Sequence, residues 1–123
     1  MNFDPHEMID ALKMEIQLIR DGAYNPSVRE PRREPRQFRD SVTCLNVGLR
    51  EKREPCERCF LSLFVPPEHL DKREACHFIP LNEAGDTIDS LSREPDREKR
   101  NAMLLAWLNA TIARLEKEVA VGK

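Results

Sequence analysis

Four cysteines, Cys44, Cys56, Cys59 and Cys76, lie in the middle of the chain and constrain its fold more than any other feature. Cys56 and Cys59 form a C-x2-C pair, a spacing that allows two thiolates to reach one ion from a tight turn. Cys44 and Cys76 add the two single ligands that complete a tetrahedral set of soft sulfur donors. The pattern predicts a structural zinc site of four cysteines, whose binding energy would count as folding energy.

The same cysteines also allow other chemistry. An iron–sulfur cluster takes four thiolates as well, although these spacings differ from those of the common ferredoxins. Free, buried thiols without any ligand are the structural alternative, because free cysteine behaves as a small hydrophobic residue. A redox-active disulfide is the least favoured, since Pro55 and a charged loop precede the C-x2-C pair where a strand would be needed. His77 is an alternative fourth ligand to Cys76, but neighbouring residues of a strand point to opposite faces.

The overall composition fits one small domain over residues 1–123. Hydrophobic residues make up 40% of the chain and charged residues 34%, so we expect a thin core that a bound metal would help to stabilise. A net charge of -2 argues against bulk electrostatic capture of nucleic acid. No apolar stretch approaches the roughly 20 residues of a membrane span. The first ten residues are acidic, unlike a signal peptide. These features indicate a cytoplasmic protein that does not bind membranes.

The two ends of the chain are predicted to be amphipathic helices. The first, at about 5–21, starts with Asp4 as N-cap and Pro5 at the first helical position, and Gly22 ends it. The second, at about 95–119, places a stripe of apolar residues at alternating spacings of three and four, as in the a and d positions of a heptad. The stripe consists of Leu105, Leu108, Ile112, Leu115 and Val119. Two heptads are too short for an independent coiled coil, so this stripe is expected to pack on the first helix or to form an interface with a protein partner or a second copy.

The middle of the chain is expected to contain a small antiparallel sheet. Residues 41–49 read as a strand, and the apolar run 59–65 is ambiguous between a strand and a short helix. Residues 77–81 and 87–91 predict a hairpin, with Gly85 in the connecting turn. We therefore predict an α+β fold in which two helices cover a small sheet, with a Cys-rich metal-binding region over 41–91.

An arginine- and proline-rich arm occupies residues 22–40. Arg29, Arg32, Arg33 and Arg36 are candidate contacts for an anion or a phosphate, because guanidinium groups bind such oxygens bidentately. Acidic residues interleave with them, which favours a solvated arm with internal ion pairs. Phe38 is expected to dock the arm on the core.

The chain carries none of the catalytic motifs for acyl transfer, metalloproteolysis or nucleotide binding. We therefore expect a non-catalytic protein-interaction or regulatory module with a structural zinc site. An iron–sulfur redox or sensor protein is the first alternative. A zinc protein that binds nucleic acid through the arginine arm is the second.

Overall fold

A computed structural model of the protein describes residues 3–25, 37–38, 43–44, 58–72 and 74–121. Two long helices, α1 (Pro5–Arg20) and α3 (Arg97–Val121), flank a short helix, α2 (Ile88–Leu91). Among the described residues between α1 and α2 there are three 3-10 helices, at Phe60–Phe64, Pro67–His69 and Ala75–Phe78. Within these ranges no helix is long and apolar enough to cross a membrane.

Local capping chemistry sets the ends of α1. The Asp4 carboxylate accepts a hydrogen bond from the backbone N–H of His6 at 2.9 Å, which satisfies one donor of the first turn. Gly22 follows the helix with a φ of 76°, a left-handed conformation that glycine adopts without a steric penalty. Its N–H donates to the carbonyl of Ile19 at 3.2 Å, so the helix ends in hydrogen-bonded backbone. The helix thus spans Pro5–Arg20, where the sequence predicted about 5–21.

The predicted α+β fold is wrong, because the described part of the chain contains no strand, sheet or hairpin. The turn expected around Gly85 does form: Gly85 has a φ of 85°, and the Leu81 N–H donates to the Asp86 carbonyl at 2.7 Å. No ladder extends from this turn. The first predicted strand, 77–81, begins inside the Ala75–Phe78 helix, and the second, 87–91, contains α2.

Side-chain capping explains why residues 87–91 are helical. Thr87 Oγ1 accepts a hydrogen bond from the Ser90 N–H at 3.0 Å, and the Thr87 N–H donates to Ser90 Oγ at 2.9 Å. This reciprocal capping box satisfies backbone groups that a strand would have to pair with a neighbour. The run 59–65, which was ambiguous, contains the Phe60–Phe64 helix. Of the predicted strand 41–49, only Thr43 and Cys44 belong to the described residues.

The core lies between α1 and α3. From α1 it takes Met8, Ile9, Leu12, Ile16 and Ile19, and from α3 it takes Leu104, Leu108, Ile112 and Leu115. Leu12 and Leu108 are completely buried. The connecting segments close the core with further buried side chains, among them Phe38, Leu61 and Ile79.

Candidate functional site

A buried carboxyl group organises the polar interior of the protein. Glu15 lies on the inner side of α1 and is 0% exposed. Its Oε1 accepts hydrogen bonds from the Tyr24 hydroxyl at 2.5 Å and from Gln37 Nε2 at 3.0 Å. Its Oε2 accepts one from the Thr43 hydroxyl at 2.6 Å. Burying an acidic group is costly unless hydrogen bonds replace its water, and three donors do so here.

These bonds attach distant segments of the chain to α1. The Tyr24 hydroxyl, which donates to Glu15, also accepts the Phe38 N–H at 3.2 Å. Phe38 has a φ of 64°, an uncommon conformation for a bulky residue that persists only where the surroundings hold it. Its side chain is completely buried, which confirms the prediction that Phe38 docks on the core. The hydrogen bond and the buried ring together hold this strained residue in place.

His77 extends the polar interior through Gln37. The His77 ring is 4% exposed, and its Nε2 lies 2.8 Å from the Gln37 carbonyl oxygen. Because a carbonyl oxygen only accepts, Nε2 must carry the proton of this hydrogen bond. His77 Nδ1 lies 3.5 Å from Glu74 Oε2. The structure therefore places the alternative metal ligand among protein partners in the interior.

The cysteines lie beside this interior. Cys44, Cys59 and Cys76 are half-buried and form no disulfide, and Cys59 Sγ is 3.9 Å from the Thr43 carbonyl oxygen. Cys59 precedes the Phe60–Phe64 helix, and Cys76 lies in the Ala75–Phe78 helix. Cys56 lies outside the described residues. Among the residues that the structure describes, no group of three or more His, Cys, Asp or Glu side chains is arranged to hold a metal ion. The zinc expected from the sequence is therefore not supported by the described part of the chain.

The remaining residues predicted from the sequence are the arginines of the arm and the apolar stripe on α3. Arg29, Arg32, Arg33 and Arg36 lie outside the described residues. Of the apolar stripe on α3, Leu108, Ile112 and Leu115 are buried in the chain's own core, whereas Leu105 and Val119 are only half-buried. α1 thus covers the centre of the surface that was predicted to be an interface.

An aromatic cluster lies on another side of α3. The rings of Phe64 and Trp107 meet edge to face, with centroids 5.4 Å apart and planes at 85°. The guanidinium carbon of Arg114 lies 5.6 Å from the centroid of the Phe64 ring. Leu63 precedes Phe64 in the chain and is 58% exposed, whereas the Phe64 and Trp107 rings are half-buried and pack against the core. We call Leu63, Phe64, Trp107 and Arg114 the aromatic face.

Sequence reasoning missed both the Glu15 network and the aromatic face. Glu15 lies three residues after Leu12 and next to Ile16, so it falls on the apolar side of the first helix. An acidic residue at such a position was the available signal of a buried carboxyl group. No comparable signal pairs Phe64 with Trp107, because the two residues lie far apart in the chain.

No protein-family model matches the chain, no curated protein matches it, and no solved structure matches it.

Proposed function

We propose that this protein is a non-catalytic interaction module that binds a protein partner through the aromatic face. The observation that carries the proposal is the contact of Phe64 with Trp107 and Arg114, together with the exposed Leu63 that precedes Phe64 in the chain. Tryptophan and arginine are the residues most enriched among those that dominate binding energy at protein interfaces. Aromatic rings add a large contact area at a small cost in conformational entropy.

The position of the aromatic face on α3 supports this assignment. Trp107 and Arg114 are two helical turns apart, so their side chains leave the helix on the same side. The inner side of α3 is occupied by α1, as the complete burial of Leu108 shows. The apolar stripe predicted from the sequence is therefore largely covered, while Arg114 on the aromatic face is exposed.

Preorganisation favours binding at this face. The edge-to-face contact restricts the Phe64 and Trp107 rings, and the Arg114 guanidinium lies against one of them. Side chains that are already ordered lose less entropy when a partner arrives, which leaves more of the contact energy for affinity. Arg114 also offers donors to a carboxylate, so a partner with an apolar contact for Leu63 and an acidic group nearby fits this surface.

The test places a photo-crosslinking amino acid at position 63 of the full chain in its native cells. The matched control carries the same group at position 121, because Val121 is also a large exposed hydrophobic residue, at 78%. We expect a discrete crosslinked species from position 63 and none from position 121. Either a second copy or another protein satisfies the proposal.

Substitutions provide the second arm of this test. Leu63→Asp, in a chain without the crosslinking amino acid, should abolish the sedimenting complex, whereas Val121→Asp should leave it intact. A chain that sediments as a monomer at all concentrations and gives no crosslink from position 63 contradicts the proposal. A complex that survives Leu63→Asp unchanged contradicts it as well.

A further inference from the structure

A cavity of about 360 Å³ lies between α2, the beginning of α3 and the segment that follows α1. Its size is in the range of cavities that hold small molecules, and it equals the volume of roughly a dozen waters at about 30 Å³ each. None of the four residues of the aromatic face lines it. The cavity is therefore a feature separate from the proposed protein interface.

One wall of the cavity is cationic. Arg97 and Arg100 both line it and are three residues apart on α3, so their side chains project from the same side of the helix. The Nε atom of Arg100 is buried. Asp89, on α2, is exposed and is the one carboxylate among the described lining residues. Among the described lining residues, two guanidinium groups therefore stand against one carboxylate.

Guanidinium groups suit an anionic ligand better than a neutral one. Each carries five N–H donors in a planar fork that matches the two oxygens of a carboxylate or a phosphate. Arg97 and Arg100 already make contacts within the folded chain, and their number of donors allows a ligand to bind alongside those contacts.

The attraction comes from these side chains and not from the N-terminus of α3. Asp96 Oδ1 accepts the backbone N–H groups of Glu98 at 3.0 Å and Lys99 at 3.3 Å. The first turn of the helix is therefore capped by the chain's own carboxylate. An anion in the cavity would bind to arginine side chains rather than to backbone donors.

The other described lining residues include both apolar and polar side chains. Leu91 and Leu104 are buried side chains that line it. Gln37 and His77 also line it and both are buried, with His77 Nε2 2.8 Å from the Gln37 backbone carbonyl oxygen. A ligand that contacts both the arginines and the leucines carries a charged group and an apolar part.

We infer that this cavity binds a small organic anion, with its carboxylate or phosphate on Arg97 and Arg100 and its apolar part on Leu91 and Leu104. Binding of this kind would give the protein a second recognition surface, independent of a protein partner. The matched probes are benzoate and phenyl phosphate, compared with neutral benzyl alcohol and with acetate, which lacks the apolar part.

The experiment titrates the full-length protein with each probe and follows its backbone amide resonances by NMR. We expect saturable shifts with benzoate or phenyl phosphate, concentrated in residues 88–92 and 97–104, with dissociation constants of about 1 mM. Benzyl alcohol and acetate should bind at least about tenfold more weakly, because each lacks one of the two recognised groups.

Variants locate the site. Arg97→Gln and Arg100→Gln should each weaken binding of the two aromatic anions by about tenfold, the effect of losing one charge-assisted hydrogen bond. Lys117→Gln, an exposed position further along α3, and Leu63→Asp, on the aromatic face, should leave binding unchanged. If Arg100→Gln does not fold, the affinity of Arg97→Gln for the two aromatic anions tests the inference. Equal affinity for benzyl alcohol, equal loss in Lys117→Gln, or no saturable shift with either aromatic anion would overturn the inference.

Discussion

Removal of the buried Glu15 carboxyl group should destabilise the whole fold. In Glu15→Ala, three donors lose their acceptor: the Tyr24 hydroxyl, the Gln37 amide and the Thr43 hydroxyl. Each unsatisfied buried donor costs about 1–3 kcal/mol, and the two hydroxyls recover part of this by turning toward other acceptors. We therefore expect a loss of about 3–5 kcal/mol in the free energy of unfolding. Such a loss is a large fraction of the roughly 5–15 kcal/mol that stabilises an ordinary domain.

Urea unfolding followed by tryptophan fluorescence measures this loss directly. Trp107 is the single tryptophan of the chain and contacts Phe64, so its emission reports on the packing of α3. Glu15→Gln keeps one acceptor oxygen and should cost about 1–3 kcal/mol, less than the alanine variant. Tyr24→Phe removes one donor to Glu15 and the acceptor of the Phe38 N–H, and should also fall in that range.

The matched control is Glu116→Ala. Glu116 is an exposed carboxylate on α3 whose Oε2 lies 3.6 Å from Lys13 Nζ. An exposed ion pair of this kind contributes about 0–1 kcal/mol. If Glu15→Ala lowers the free energy of unfolding no more than Glu116→Ala does, the buried network does not hold the connecting segments on α1.

Three smaller changes test the rest of the fold. Leu108→Ala empties a completely buried position between the two long helices and should cost about 2–5 kcal/mol in the same urea assay. Thr87→Ala removes one half of the capping box of α2 and should cost about 1 kcal/mol, whereas Thr87→Ser should retain most of the stability. Gly85→Ala should cost about 1–2 kcal/mol: a Cβ there meets no atom within 4 Å, so strain at a φ of 85° is the whole effect. No change in melting temperature for Gly85→Ala would contradict the left-handed turn.

Local sequence signals were reliable where the chemistry is local. Asp4 and Pro5 start α1, and Gly22 and Gly85 adopt the left-handed conformation that a helix end and a tight turn require. Each of these features depends on a few neighbouring residues, so the order of residues is sufficient to predict it.

The strand predictions failed because a strand needs a partner. Residues 87–91 have β-like composition, but the Thr87–Ser90 capping box satisfies their backbone groups within one short helix. The apolar pattern alone could not reveal this competition, because short apolar runs fit both helices and strands. The turn around Gly85 was predicted, yet its presence did not imply a ladder on either side.

The candidate site shows the same division. The sequence predicted the two long helices, the apolar stripe that includes Leu108, and the docking of Phe38, because periodicity and isolated aromatic residues report burial. It did not predict that Glu15 would bond residues nine to 28 positions further along the chain. Nor did it predict that Trp107 would meet Phe64. Those contacts depend on how separate segments fold back on α1 and α3, which only the tertiary structure decides.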